Sequence, residues 1–251
     1  MAERPALEAV LLDAGGTLVR LDFEWIAEAL AGLGVMVDAL ALRRGEVEGR
    51  RRYDAAGRVA IAPGADDPPL GARGDARQYF AGMLEAAGVP PALMVEALEL
   101  LFRRQHESGL WTRPMEGARE ALDGLARLGI RRGVVSNSDG RAEMHIRDCG
   151  FLERVEFVVD SHRVGVEKPD PEIFKIALER LGVSAERTLF VGDIRSVDEA
   201  GARAAGMHFV LLDPYADYGA PGEPSIAGME RLAAWVADRF ELPSPKPEAL
   251  R

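Results

Sequence analysis

The chain of 251 residues holds a single cysteine, Cys149. An internal disulfide framework is therefore excluded, and the composition fits a reducing compartment. Cys149 falls near the end of a helical pattern beside Gly150, where it reads as a small packing residue rather than a nucleophile. Histidine is also scarce. The four are scattered, and no pair among them has metal-ligand spacing. No apolar run is long enough to span a bilayer, and no charged-then-apolar leader is visible. Positive charge is in deficit, with 31 Lys and Arg against 41 Asp and Glu and a formal net charge of −10. A nucleic-acid binder needs a basic face, so the balance argues against that class, while a local cation can still hold a small anion. Together these absences predict a soluble, cytoplasmic protein that engages neither membrane nor nucleic acid.

Hydrophobic residues make up 47% of the chain, enough for a packed core. Five apolar runs read as strands, at 8–13, 132–137, 155–160, 187–193 and 207–212. Several are rich in Val, Leu and Phe without alternation, as for parallel strands covered on both faces. Helical patterns at 117–128, 141–149 and 197–205 separate them, each ending at or just before a glycine. A further helix starts at Pro171 behind the N-cap Asp170 and stops before Gly182. This alternation predicts an α/β fold with a doubly wound parallel sheet.

Residues 22–110 break the alternation and show helical patterns only. Asp22 reads as the cap of a helix over 23–32, and 37–56 as a second helix weakened by Gly45 and Gly49. Asp75 reads as the cap of 76–87, and Pro91 as the start of 92–107. The stretch 63–69 reads as a loop, and the proline-bearing tail after Phe240 as a fraying end. Arg50-Arg51-Arg52 reads as a solvated helix face. The expected division is a core of 1–21 and 111–251 with a helical insert of 22–110.

The chemistry-bearing segments all follow strands. Asp13-Ala14-Gly15-Gly16-Thr17 follows the first apolar run, and Ser136-Asn137 closes the second. Lys168 stands before Pro169-Asp170-Pro171, and Gly192-Asp193 is followed by Asp198. In this order they resemble the motifs of the haloacid dehalogenase-like (HAD) superfamily of hydrolases. The resemblance implies a Rossmann-like core with an inserted all-helical C1 cap. It implies Asp13 as nucleophile and Lys168 as its catalytic cation, with Ser136, Asn137 and Thr17 binding the substrate. It implies Mg²⁺ as cofactor, held by Asp13, the Gly15 carbonyl and Asp193, with Asp198 beside them to orient Lys168 or a metal-bound water. A carboxylate set of this kind suits that ion.

The motif departs from the family at one position. The family's phosphatases read Asp-x-Asp-Gly-Thr, where the second Asp is the general acid/base; this chain has Gly15 there. Asp22, His106, Glu107 and Asp139 are candidates by position to replace it; Asp22 and Asp139 also read as helix caps, and His106 as a surface residue. The expected activity is Mg²⁺-dependent hydrolysis of a small phosphorylated metabolite through an aspartyl-phosphate. The alternatives are a 2-haloacid dehalogenase-like reaction on a halogenated metabolite, or a ligand-binding protein with little turnover. A Schiff-base route through a cap lysine is closed, because the three lysines are Lys168, Lys175 and Lys246.

Overall fold

The computed structural model describes residues 4–60, 76–219 and 222–243. The expected loop at 63–69, the cap Asp75 and nearly all of the tail after Phe240 lie outside the described residues. The chain opens with β1 (Ala9–Leu12) and β2 (Val19–Leu21). Helices α1 (Phe23–Ala31), α2 (Ala39–Ala60), α3 (Ala76–Ala86) and α4 (Met94–Glu107) follow, then β3 (Trp111–Pro114). Alternation resumes with α5 (Ala118–Arg127), β4 (Arg131–Ser136), α6 (Ala142–Asp148), β5 (Val158–Asp160), α7 (Ser161–Val164) and α8 (Pro171–Leu181). The chain continues through β6 (Thr188–Gly192), α9 (Ala200–Ala204), β7 (His208–Leu212), β8 (Ser225–Ile226) and α10 (Leu232–Arg239). Two compact units result, Met1–Arg20 with Pro114–Arg251, and Leu21–Arg113.

The first unit is built on a parallel sheet of six strands in the order β5-β4-β1-β6-β7-β8. Every residue of β1 is buried, as its unbroken apolar sequence requires of a strand covered on both faces. Leu12 pairs with Val134 on one side and Val191 on the other. The chain leaves β1 toward β4 and β5 on one side and returns to β6 and β7 on the other. This reversal makes a topological switch point at the C-terminal ends of β1 and β6, where open α/β sheets bind ligands. Phe174 of α8 packs edge to face on Phe190 of β6 at 5.0 Å. The α8 helix starts as its sequence dictates: Asp170 accepts from the Glu172 N–H at 2.9 Å, Pro171 is the first helical residue, and Gly182 closes it. The short β8 and the paired β2 and β3 carry no alternation or apolar run of legible length.

The second unit contains α1 to α4. Asp22 caps α1 by accepting from the Trp25 N–H at 3.1 Å. Gly45 and Gly49 do not shorten α2, which extends beyond the expected 56 to Ala60. A Cβ on Gly45 would fall 2.4 Å from the Met83 carbonyl oxygen, and one on Gly49 would fall 2.6 Å from that of Tyr79. The glycines let two helix backbones approach closely, and that packing outweighs their poor helix propensity.

The reading of Arg50-Arg51-Arg52 as a solvated face is corrected at its first member. Arg50 is buried and pairs with the buried Glu46 at 3.2 Å, which also accepts from the Tyr79 hydroxyl at 2.6 Å. The cause is α3, which covers that side of α2. Among the described residues, no helix is long and apolar enough to cross a membrane.

Candidate active site

Asp13 stands one residue past β1, and its N–H still donates to Val191 at 2.9 Å, so the ladder fixes its backbone. The chain then folds into a tight loop. The Ala14 carbonyl accepts from the N–H groups of Thr17, Leu18 and Val19, and the Gly16 N–H donates back to Val19 at 2.8 Å. Gly16 carries the positive φ of this loop, 79°, whereas Gly15 is not among the left-handed glycines. A Cβ on Gly16 would fall 2.1 Å from an oxygen of Asp193. Gly16→Ala is therefore expected to cost about 1–3 kcal/mol of stability by backbone strain alone. Urea unfolding measures it, and a variant as stable as the wild type would contradict this packing.

Lys168 joins the loops. Its ammonium donates to Asp13 at 2.6 Å and to Asp198 at 2.7 Å. The second oxygen of Asp198 accepts the N–H groups of Asp193 and Ile194, both at 3.0 Å. Asp198 sits in a π-helical turn, Arg195–Glu199, that precedes α9 and interrupts the helix expected over 197–205. Gly192 is needed beside it, since a Cβ there would fall 2.5 Å from the Asp198 side chain. The turn is braced from the chain after β7. The Tyr218 hydroxyl accepts from the Arg195 N–H at 3.1 Å, and Asp213 holds the Tyr218 N–H at 3.1 Å.

Electrostatics follow from burial. Asp13, Asp193, Asp198 and Lys168 are at most 7% exposed. Burial pushes the Asp13 carboxyl up to about 6, with Lys168 pulling against that shift and Asp198 adding to it. Burial acts to lower the Lys168 ammonium, but Asp13 and Asp198 outweigh it and the net shift is upward. Asp13, Asp193 and Asp198 each bring one carboxylate oxygen within 4.8 Å of the others. One ammonium among three carboxylates leaves an excess of negative charge. A divalent cation with a preference for oxygen ligands fits that excess.

The remaining expected site residues take varied places. Ser136 is buried at the end of β4, and Thr17 is fully buried with no hydrogen-bond partner for its hydroxyl oxygen among the described residues. The Asn137 carboxamide is bound at both ends to the main chain of Lys168, at 2.8 Å each.

The four candidates for the missing acid are held by other partners or stand exposed. Asp22 is committed to the Trp25 amide and to Arg113 at 2.9 Å, while His106 and Glu107 are exposed on α4. Asp139 pairs with Arg141 at 3.0 Å and does not cap α6. That helix receives its cap from Asp160, whose oxygens accept from Ala142 at 3.1 Å and His162 at 3.0 Å. Asp160 and its neighbour Ser161, which bonds both main-chain groups of Ser138, were missed by sequence reasoning. The available signal was Val158-Val159-Asp160, an apolar run ending in Asp like the one that delivers Asp13.

Comparison with known proteins agrees with this arrangement. Residues 7–206 match the haloacid dehalogenase-like hydrolase family. The chain is 30% identical over 219 residues to an N-acetylmuramic acid 6-phosphate phosphatase of Pseudomonas aeruginosa, covering 84% of this chain and 86% of that protein. It is 38% identical over 127 residues to haloacid dehalogenase-like hydrolase domain-containing protein 3 of Mus musculus. That match covers 50% of each protein, so the chain spans about half the length of this relative. Solved structures share the fold at low identity. A dehalogenase with an intermediate complex has a TM-score of 0.61 at 20% identity, covering 93% of this chain and 98% of its own. The HAD-hydrolase YfnB of Bacillus subtilis, bound to magnesium, has a TM-score of 0.60 at 21% identity, covering 91% and 98%. A buried Asp13–Lys168–Asp198 array at the switch point of a parallel sheet and a family match over residues 7–206 lead to one conclusion: the chain belongs to the haloacid dehalogenase-like hydrolases.

Proposed function

We propose that the protein hydrolyses a small phosphorylated metabolite, with Asp13 as nucleophile and Mg²⁺ as cofactor. The observation that carries this reading is the Lys168 ammonium, 2.6 Å from Asp13 within a buried acidic cluster. A carboxylate held against a cation, beside an excess of negative charge, is arranged for attack on an anionic centre once that excess is neutralised. Asp13, Asp193 and the Gly15 carbonyl would hold Mg²⁺, which when bound offsets charge on the phosphoryl oxygens. Asp13 attacks phosphorus, the ester oxygen leaves, and water then cleaves the aspartyl-phosphate at phosphorus to regenerate Asp13. Lys168 balances the charge of Asp13 and of the group in transfer, and Asp198 holds Lys168 and the amides of the Asp193 loop. Ser136 and Thr17 supply hydroxyls for the phosphoryl oxygens. The helical unit is assigned the part of a C1 cap that selects the organic portion of the substrate. A reducing, cytoplasmic setting suits the single buried Cys149.

Metal binding is expected to stabilise the fold by mass action. At a Mg²⁺ concentration of 100 times Kd the gain is about 2.7 kcal/mol, or about 5–10 °C in Tm for a chain of this size. The effect depends on pH through Asp13. Its folded carboxyl lies above its ordinary 3.8, at about 6. The folded state therefore keeps a proton that the unfolded chain has released, and the stability this confers is lost as pH rises through about 6. A cation that takes the proton's place restores it. The Mg²⁺-induced rise in Tm is thus larger at about pH 7.5 than at about pH 5, where protons compete for Asp13. No shift at either pH, or an equal shift in Asp193→Asn, would count against the site.

The leaving group supplies a further test. Gly15 cannot protonate a departing alkoxide, and such assistance is typically worth about 10²–10⁴-fold. Aryl and acyl phosphates, whose anions leave unaided, are expected to outpace alkyl phosphates of similar size. Equal rates would mean that another acid acts or that a different step is limiting. Halide release from a 2-haloacid in the presence of chelator would instead favour attack by Asp13 on carbon.

A further inference from the structure

Lys168 lies in a stretch that no helix or strand secures. It falls between Gly165, which ends α7 with a φ of 76°, and Asp170, which caps α8. Its main chain is nonetheless fixed at two points by one side chain. The Asn137 carboxamide oxygen accepts the Lys168 N–H at 2.8 Å, and the Asn137 amide donates to the Lys168 carbonyl at 2.8 Å. This cyclic pair reproduces the exchange of bonds between facing residues in an antiparallel ladder. It joins the lysine to the tip of β4, the strand beside β1 and its nucleophile. From that anchor the Lys168 ammonium reaches both Asp13 and Asp198.

We infer that Asn137 is a positioning residue that sets the Lys168 ammonium against Asp13 through this double bond to the Lys168 main chain, and not a ligand of the substrate. The chemistry of the side chain supports this assignment. Only a carboxamide offers a donor and an acceptor side by side at this length. An aspartate at 137 would keep an acceptor for the N–H but turn a second acceptor toward the Lys168 carbonyl. An alanine would lose both bonds and leave two main-chain groups of a buried residue to find other partners. One donor and one acceptor of the Asn137 carboxamide are fixed on the Lys168 main chain, so the lysine sets the plane of the group.

The inference rests on the phosphatase reading for its kinetic test and is independent of it for its chemical one. For the kinetic test, Asn137→Ala, Asn137→Asp, Lys168→Met and the Asn137→Ala/Lys168→Met double variant are assayed on p-nitrophenyl phosphate with Mg²⁺. Asn137→Ala and Asn137→Asp are expected to lower kcat on the order of 10²-fold with KM little changed, as misplacement of a catalytic group does. In the Lys168→Met background, Asn137→Ala is expected to change kcat by less than about twofold, because the two residues act as one unit. For the chemical test, the proteins are labelled with trace acetic anhydride and the lysine-bearing peptides quantified by mass spectrometry. Lys175, with its side chain 59% exposed, serves as internal reference. The ratio of Lys168 to Lys175 labelling is expected to rise several-fold in Asn137→Ala or, should that protein not fold, in the near-isosteric Asn137→Asp. A raised KM at unchanged kcat, additive effects with Lys168→Met, or an unchanged labelling ratio would overturn the assignment. If the wild type releases no p-nitrophenol, the phosphatase reading fails while the labelling ratio still decides the role of Asn137.

Discussion

Asp13→Asn is expected to remove turnover, lowering kcat by at least on the order of 10⁴-fold, as loss of a nucleophile does. An amide does not form the covalent intermediate, and the cluster loses one of its three anionic oxygens. The stability of the variant separates this loss from misfolding. Burial already disfavours the charged form of Asp13, so a neutral isostere relieves a cost. Measured without Mg²⁺ at about pH 7.5, Asp13→Asn is expected to be no less stable than the wild type, and its response to Mg²⁺ to be weaker. Retention of most of the activity would remove Asp13 from the chemistry.

Gly15→Asp is expected to raise hydrolysis of alkyl phosphates by about 10²-fold or more where proton transfer limits the rate. The position accepts a side chain on backbone grounds. The left-handed φ of the loop belongs to Gly16, not Gly15, and Gly15 is only half-buried. The carbonyl assigned to the metal is unchanged by the substitution. The gain is expected to be greatest for substrates with poor leaving groups and least for aryl phosphates. The check is a comparison of kcat/KM for one alkyl and one aryl phosphate in both proteins. A folded, Mg²⁺-binding Gly15→Asp protein with no gain on the alkyl ester would contradict a proton-transfer deficit at this position.

Much of the core was legible because its signals are local and redundant. The central strands β1 and β6 carry the apolar runs Ala9-Val10-Leu11-Leu12 and Leu189-Phe190-Val191, and Asp170-Pro171 with Gly182 states where α8 begins and ends. Asp13 and Asp193 were legible because each follows such a run. Partnership among residues far apart in sequence is not written in local pattern, and the pairing of Asp198 with Lys168 came only as one of two roles implied by the family resemblance. That Asp198 holds Lys168 depends on a π-helical turn and on the bare Gly192, and that Asp160 caps α6 depends on strand register. Arg50 shows the same limit from the other direction. A run of three arginines looks solvated until a glycine-lined contact brings α3 down upon the first of them. The role of Asn137 was hidden for the same reason, since a strand-tip Asn looks alike whether it faces a ligand or the peptide of Lys168.

The most direct test of phosphoryl transfer by Asp13 is inorganic phosphate release across a panel of small phosphorylated metabolites and p-nitrophenyl phosphate. Wild type and Asp13→Asn are compared, each with millimolar Mg²⁺ and with chelator. The expected result is release by the wild type that requires Mg²⁺ and is absent from Asp13→Asn. Release that survives chelator, or that Asp13→Asn retains, would contradict it.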